Sequence, residues 1–261
     1  MTKPQVSIIV PFFNTHEYIN DLLASIKMQS MVVTETIIID DGSTTESTQK
    51  LLEAIEIFRS TLTIHYFRKE NDGVAAARNF GFLQSTSEYV VFLDSDDMLC
   101  GRYSLYSRAQ YLQQHAEFSG VSGYPLRMEK NGLPRFSTPS ENFSQIYLQA
   151  VENPEKILHY YCQNCLQNTK KSASTLFFMT GSTLFRREDI ADFPFDTKLK
   201  TEEDVEWLLR FLQQKNIRLT PYPYHFRRFH EQQLHLEIPS ELTQKILQIA
   251  RNLESNSEPE E

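Results

Sequence analysis

The feature that most constrains the fold is an alternation of short apolar runs with helix-like segments over residues 5–115. Four apolar runs of strand length, each nearly continuous, occur at residues 6–10, 36–39, 64–67 and 88–93. Between them, apolar side chains recur at helical spacing, as they do from Ile19 to Ile26. Apolar strands joined by helices form a parallel sheet that is covered on both faces. We therefore predict an α/β fold with a mostly parallel, Rossmann-like sheet.

Three of these strands are followed by segments that carry candidate binding residues, at residues 11–14, 40–43 and 94–97, and the last two segments are rich in aspartate. Ligands of parallel α/β sheets bind outside the carboxyl ends of the strands, so these segments mark the expected site. Asp94, Asp96 and Asp97 form a cluster that would attract a hard divalent cation such as Mg²⁺ or Mn²⁺. A solvated turn that caps the next helix explains the same residues, and turn chemistry equally explains residues 40–43. The residues alone leave both interpretations open.

Charge and composition exclude several classes of protein. The 261 residues carry 34 acidic and 26 basic side chains, a net charge of -8, which argues against a nucleic-acid binder. No apolar run is long enough for a membrane span or a signal peptide, so we expect a cytoplasmic protein with at most peripheral contact at the inner face of the membrane. We expect Cys100, Cys162 and Cys165 to be reduced thiols, although the last two have the spacing of half a zinc or redox site.

The second half of the chain is less regular. We expect residues 124–175 to have no clean period, a strand over residues 177–185 and an amphipathic helix over residues 239–253. The predicted division is a nucleotide-binding half (1–123), an acceptor-binding half with the catalytic base (124–238), the terminal helix, and a disordered acidic tail (254–261). We expect the terminal helix to pack against the rest of the domain or to contact a second subunit or a partner transferase.

Four segments occur in the order and at the spacings of one known family: Val10-Pro11-Phe12-Phe13-Asn14, Ile39-Asp40-Asp41-Gly42-Ser43, Asn71-Asp72-Gly73 with Ala77-Arg78-Asn79, and Phe92-Leu93-Asp94-Ser95-Asp96-Asp97. Together they resemble the family 2 glycosyltransferases, which have the GT-A fold. The resemblance is strong over residues 5–115 and continues more weakly through residues 180–187, Glu203-Asp204 with Trp207, and Arg228-Phe229-His230.

The resemblance implies a nucleotide-sugar site at the strand ends. Phe13 would stack on the nucleotide base, Asp41 would accept a hydrogen bond from a uracil ring, and Asp94 would contact ribose or sugar. Arg78 would hold the nucleotide end or pair with Asp41; a helix-surface salt bridge is the alternative. The full set implied is Pro11, Phe13, Asp41, Asn71, Gly73, Arg78, Asp94, Ser95 and Asp96.

The resemblance also implies a divalent metal and a catalytic base. Asp96 is the expected ligand of Mn²⁺ or Mg²⁺, Asp97 is the alternative, and His230 would bind the metal or phosphate. Asp204, in the Glu203-Asp204 pair, would remove the proton of the acceptor hydroxyl, although acids in a first helical turn also simply favour the helix dipole.

We therefore expect an inverting, metal-dependent transferase of the hexosyl or N-acetylhexosaminyl class, with a nucleotide sugar, UDP-linked by preference, as donor. The acceptor would be a cell-surface polysaccharide, glycolipid or glycoprotein. The chain lacks the Gln-x-x-Arg-Trp motif of processive relatives, so it should add single sugars. The alternative is a catalytically silent relative that binds and stabilises a partner transferase, against which the presence of Asp94, Asp96 and Asp204 counts.

Overall fold

The computed structural model describes residues 3–135, 141–168, 179–230 and 240–255. Within these residues, eight strands form one sheet in the order β3-β2-β1-β4-β7-β6-β8-β5. The strands are β1 (Gln5–Phe12), β2 (Val33–Asp41), β3 (Thr63–Lys69), β4 (Tyr89–Phe92), β5 (Met98–Leu99), β6 (Gly120–Met128), β7 (Leu184–Arg186) and β8 (Ile217–Arg228). The helices are α1 (Ile19–Lys27), α2 (Thr45–Phe58), α3 (Val74–Gln84), α4 (Ser104–Gln114), α5 (Glu141–Glu152), α6 (Ile157–Asn168), α7 (Arg187–Ile190), α8 (Glu203–Leu212) and α9 (Ser240–Ser255).

The first four strands are parallel, as their apolar runs predict. β1 pairs in parallel with β2 and β4, and β2 pairs in parallel with β3. Strand β7 then runs antiparallel to both β4 and β6, while β6 and β8 are parallel to each other. All the long strands therefore end at the same edge of the sheet, which brings the segments after β1, β2, β4 and β8 together.

Two apolar cores cover the two faces of the sheet. On one face, Ile8 and Val10 of β1 pack with the buried residues of α1, α2 and α4. On the other face, Ile9 of the same strand belongs to a core that contains Trp207 of α8 and buried residues of α5, α6 and α9. Because successive strand residues point to opposite faces, one continuous apolar run supplies both cores. The α/β expectation is confirmed.

The expectation of an irregular region at residues 124–175 is wrong. Strand β6 continues through residue 124 to Met128, and helices α5 and α6 follow. In α6 the buried side chains are Ile157, Tyr161, Cys162 and Cys165, which do follow a helical stripe. Polar Gln and Asn residues between aromatic and thiol side chains weaken that pattern in the sequence. The cysteines are free, and burial raises the pKa of both Cys162 and Cys165.

The strand expected over residues 177–185 is shorter and begins later. Residues 177 and 178 lie outside the described residues, residues 180–182 form one turn of 3₁₀ helix, and β7 begins only at Leu184. The hydroxyl of Ser182 accepts from the Met179 amide, and the hydroxyl of Thr183 donates to the Met179 carbonyl. These bonds close a turn that competes with an extended strand.

The terminal helix packs against its own chain. Leu242 and Ile246 of α9 are buried in the same core as α6, and Lys245 forms an ion pair of 2.7 Å with Glu206 of α8. Its buried apolar residues are thus not available for the subunit or partner contact that we expected of this helix. The acidic tail lies outside the described residues.

Candidate active site

The loop after β1 presents one aromatic ring to solvent. Phe12 is fully buried, whereas Phe13 is 49% exposed. The chain reverses at Asn14, whose φ of 55° lies in the left-handed region that Asn tolerates. Its amide donates to the Ser43 hydroxyl, and its side-chain oxygen accepts from the Thr44 amide, so the loops after β1 and β2 are fastened together. This leaves Phe13 as an exposed flat surface at the sheet edge.

Pro11, which we expected to share that role, is buried within β1 opposite Ile39. Because its side chain is buried there, Pro11 has no exposed surface on which a nucleotide base could lie. Phe13 alone fulfils the expectation of an exposed aromatic residue at this loop.

Asp40 at the end of β2 is a structural residue. Its buried carboxylate accepts from the Ser43 amide and from the side chains of Thr48, Tyr66 and Arg68 at 2.8–3.1 Å. Burial by itself raises the pKa of Asp40, but the hydrogen bonds from Ser43 and Thr48 and the charge of Arg68 outweigh burial, so its pKa is lowered. The carboxylate stabilises the turn into α2.

Asp41 organises the turn that precedes α3. Its carboxylate accepts from Lys69 at 2.6 Å and from the amides of Asp72 and Gly73 at 3.1 and 2.8 Å. The side-chain amide of Asn71 donates to the Asp41 carbonyl at 2.8 Å. The structure thus brings together three of the residues expected at the nucleotide, with the Asp41 carboxylate buried among backbone amides.

This turn approaches β2 so closely that only glycine fits at residue 42. Gly42 has φ +77°, and a Cβ built on it would lie 2.7 Å from the backbone nitrogen of Asn71. A larger residue would push the two loops apart. The glycine therefore sets the spacing between the two predicted nucleotide-binding segments.

Arg78 is buried and joins two distant acids. One guanidinium nitrogen donates to Asp94 at 2.8 Å, another donates to Glu203, and the group lies 5.3 Å from the centre of the Phe195 ring. The expected pairing with Asp41 is wrong, because Asp41 is already bound by Lys69 and two amides. The helix-surface alternative is also wrong, since Arg78 is only 3% exposed. The pairing with Glu203 left no signal in the sequence.

The loop of residues 94–97 holds Asp96 against His230. The two side chains approach to 2.8 Å, between a carboxylate oxygen and Nε2, and both are largely buried. The His230 ring packs on Tyr18 at 4.8 Å, and its Nδ1 is buried with no hydrogen-bond partner among the described residues. The Ser95 hydroxyl lies 2.7 Å from the Thr15 hydroxyl, so Ser95 contacts the segment that precedes α1.

Asp97 is engaged by β8. One carboxylate oxygen lies 2.7 Å from Nε2 of His225, and the other accepts from the Arg228 amide at 2.9 Å. Burial raises the pKa of Asp97 to about 6, and the charge of Asp96 adds to the increase. Both oxygens are thus occupied within the protein, which disfavours the alternative that Asp97 is the metal ligand. His225 carries no sequence motif, and only the fold reveals its role.

Arg228 fastens the end of β8 to this loop. Its side chain donates to the carbonyls of Asp96 and Lys130 and to the carboxylate of Asp21, all within 2.8 Å. Its guanidinium also lies 4.8 Å from the centre of the Tyr18 ring. These contacts fix the segment that carries His230.

The acidic start of α8 holds the expected base. Burial raises the pKa of Asp204 to about 6, with a further contribution from Glu203, while Arg78 acts in the opposite direction. Burial, followed by the charges of Asp204 and Glu203, raises the pKa of Glu202 to about 8. Glu202 also has φ 58°, a strained conformation for a non-glycine residue that is typical of functional sites.

Among the described residues, no three His, Cys, Asp or Glu side chains are grouped closely enough to enclose a metal ion. Two carboxylate–histidine pairs lie at this edge, Asp96 with His230 and Asp97 with His225. None of the described helices combines the length and the apolar character needed to cross a bilayer.

A family model described as glycosyl transferase family 2 matches residues 7–192. The chain belongs to this family. Among curated proteins, it is 29% identical over 225 residues to the teichoic acid poly(glycerol phosphate) polymerase of Staphylococcus epidermidis, covering 85% of this chain and 28% of the relative. It is 35% identical over 132 residues to the putative teichuronic acid biosynthesis glycosyltransferase TuaG of Bacillus subtilis, covering 51% of each. The chain therefore spans between about a quarter and a half of the length of these two relatives.

Two solved structures have a fold similar to that of this chain. Residues 1–349 of S. aureus TarS, in complex with UDP-GlcNAc, match with a TM-score of 0.65 at 21% identity, covering 98% of this chain and 68% of that one. The mannosyltransferase PcManGT of Pyrobaculum calidifontis, in complex with GDP-Man and Mn²⁺, matches with a TM-score of 0.61 at 18% identity, covering 88% and 58%. The family and the GT-A architecture predicted from the motifs are confirmed.

Proposed function

We propose that this family 2 member transfers single sugars, hexosyl or N-acetylhexosaminyl, from a UDP-sugar to a hydroxyl group of a cell-surface polysaccharide, glycolipid or glycoprotein precursor, with inversion. The observation that carries the proposal is the Arg78 bridge. It ties Asp94, in the predicted donor loop, to Glu203, which is adjacent to the predicted base Asp204. This bridge joins the loop proposed for the donor to the helix that carries the proposed base, and it supports a group transfer at this edge of the sheet.

Donor binding is supported by the three loops at that edge. Phe13 offers a ring for the base, and the turn of residues 71–73 is held against β2 by Asp41. The TarS structure of the same fold carries UDP-GlcNAc, and this favours a UDP-sugar donor for this chain as well. Two relatives named for teichoic and teichuronic acid favour a polysaccharide acceptor within the proposed range. We expect the reaction to take place in the cytoplasm, at most beside the inner face of the membrane.

The donor groups fit a divalent metal, Mn²⁺ or Mg²⁺. Asp96 and His230 bring a carboxylate oxygen and an imidazole nitrogen to within 2.8 Å of each other, and both are ligand types that these metals accept. Asp96 and His230 would hold the ion, which when bound neutralises the charge of the leaving diphosphate. Two protein ligands leave positions for phosphate oxygens. The Mn²⁺ in PcManGT, of the same fold, supports this proposal.

Asp204 is suited to act as the base. With a pKa of about 6, it is mostly ionised at neutral pH and still basic enough to accept a proton from a polarised hydroxyl group. Burial and Glu203 raise its pKa, while Arg78 keeps it from rising further. Attack assisted from the side opposite the leaving group inverts the anomeric centre, so an α-linked donor gives a β-linked product.

The test is the thermal stability of the purified protein with UDP, GDP, dTDP and CDP, each with and without Mn²⁺. A ligand that binds only the folded state raises the melting temperature. We expect the largest increase with UDP plus Mn²⁺, its loss in Asp96→Ala, and no loss in Asp192→Ala, a matched change at an exposed position. No increase with any nucleotide would contradict the proposal and favour the silent-partner alternative. An increase with another nucleotide would correct the donor class.

A further inference from the structure

A cavity of about 610 Å³ lies at the outer edge of the sheet, between the beginning of α4 and the middle of β8. Its volume falls within the range of small-molecule sites. From Tyr222 in this cavity to Arg228, β8 extends six residues, which is about 20 Å of strand. The cavity is therefore separate from the nucleotide edge, where Arg228 meets Asp96. Its lining residues are Cys100, Gly101, Arg102, Tyr103, Ser104, Ser107, Tyr111, Arg218, Thr220, Pro221, Tyr222, Pro223 and Tyr224.

A bulge in β8 shapes this cavity. Gly123 of β6 pairs with Thr220, the next residue of β6 pairs with Pro223 and the one after that pairs with His225, so β8 contains three extra residues here. The bulge requires glycine at residue 123, because a Cβ there would lie 2.0 Å from the Tyr222 carbonyl oxygen. The bulge leaves Tyr222 64% exposed at the mouth of the cavity. Bulges commonly redirect a side chain for function.

The walls combine aromatic rings with positive charge. Tyr103, which also lines the cavity, is 50% exposed. Arg102 lies 5.2 Å from the centre of the Tyr103 ring and donates to the Ser30 hydroxyl at 3.0 Å. The side chain of Arg218 makes no hydrogen bond or ion pair with the residues that the structure describes. None of the described lining residues is acidic, so two cations line this cavity in a chain of net charge -8.

The composition of the cavity discriminates between classes of ligand. Pro221 and Pro223 lack amide hydrogens, so they block the addition of a peptide strand to this edge. No leucine, isoleucine, valine or methionine belongs to the described lining, which disfavours a lipid chain. Two arginines on an acidic protein are too few for a nucleic acid. Tyrosine rings suit sugar rings, because both combine an apolar face with hydroxyl groups at the rim.

We propose that this cavity binds an anionic glycan. Sugar rings would lie on Tyr103 and Tyr222, and a phosphate or carboxylate substituent would be bound by Arg218 and Arg102. The inference rests on the proposed function in one respect: the bound glycan is part of the acceptor, and its growing end would reach the base at the carboxyl edge of the sheet, where the two faces meet. Such a site selects acceptor chains over isolated sugars, because a second contact raises the effective concentration of the chain end.

The test is direct binding by calorimetry, without a catalytic readout, of three probes of equal length: oligogalacturonate, phosphorylated mannan fragments and neutral maltooligosaccharides. We expect the wild-type protein to bind one or both anionic probes, which distinguishes carboxylate from phosphate, and to bind them more weakly at high salt. The double variant Arg218→Gln, Tyr222→Ala should lose about tenfold in affinity. Arg59→Gln, at an exposed position on the surface near the end of α2, should bind as the wild type does.

The UDP-dependent increase in melting temperature is measured on every variant. It should be unchanged in the double variant, which shows that the fold and the donor edge are intact. Equal binding of the neutral probe, or unchanged affinity in the double variant, would overturn the inference. Anionic-glycan binding without any nucleotide effect would support the cavity as a glycan site and refute the proposed transferase function, so the two failures are distinguishable.

Discussion

Replacing Arg78 by glutamine tests whether this residue holds the active-site edge together. In the structure, the guanidinium of Arg78 is the cation that pairs with both Asp94 and the buried Glu203. Glutamine retains part of the volume but carries no charge, so both carboxylates lose their counter-ion. The side chain of Glu203 is only 8% exposed and cannot recover its hydration without local opening.

The expected loss follows from this burial. Removing one partner of a buried ion pair destabilises a protein by about 3–5 kcal/mol, because the other charge stays buried and uncompensated. We assign most of this loss to Glu203, since the side chain of Asp94 is 39% exposed and water screens its charge. At about 2–4 °C per kcal/mol for a chain of this size, the melting temperature should fall by roughly 6–20 °C.

The assay is chemical denaturation combined with thermal unfolding at neutral pH. Arg59→Gln is the matched control, because its ion pair with Glu56 is exposed and should contribute less than about 1 kcal/mol. The double variant Arg78→Gln, Glu203→Gln removes the stranded charge and should recover about half of the loss. If Arg78→Gln costs no more than Arg59→Gln, or if the second substitution recovers nothing, the argument from the buried bridge fails.

Three further predictions follow from the same edge. Phe13→Ala should weaken UDP binding by about tenfold in calorimetry with an unchanged melting temperature, since the ring is exposed, while Phe13→Tyr should bind normally. The turnover rate should rise with pH through about 6 as Asp204 loses its proton. Glu203→Gln removes a neighbouring negative charge, so the pH at which the rate rises should be lower in this variant. If that pH does not change, Asp204 is not the base. Gly42→Ala should destabilise the protein by about 1–3 kcal/mol in denaturant unfolding, more than Gly101→Ala, which has a similar positive φ but open space at its Cβ. Equal losses would mean that the close approach is unimportant.

The first half of the fold could be predicted because its signals are local. Each buried strand is a continuous apolar run, and the polar residues follow directly where the strand ends. The family resemblance, and not the strand pattern, implied an exposed ring at Phe13, and the structure leaves that ring exposed while Phe12 is buried. The resemblance also implied a common site for Asp41, Asn71 and Gly73, which the structure brings into contact.

Contacts between distant segments could not be predicted in the same way. Arg78 meets Glu203 across 125 residues, and Asp97 meets His225 across 128. No pattern in either segment identifies the partner in the other. The expected partner of Arg78 was therefore Asp41, which in the structure is bound by Lys69 and two backbone amides instead. The family resemblance supplied His230 but not His225, because a buried positioning contact leaves no surface motif.

These distant contacts share one property that bears on how the site forms. Arg78–Glu203, Asp97–His225 and Asp96–His230 each join the first half of the chain to the second, and each places a charge in a largely buried position. Arg78 keeps Asp94 as a partner within the first half, but its bond to Glu203 forms only when α8 docks, and the contacts of Asp97 form only when the end of β8 docks. The loops that we propose for the donor are therefore held in place by the same contacts that position α8, which carries the proposed base. A substitution that displaces α8 should therefore also change the position of these loops.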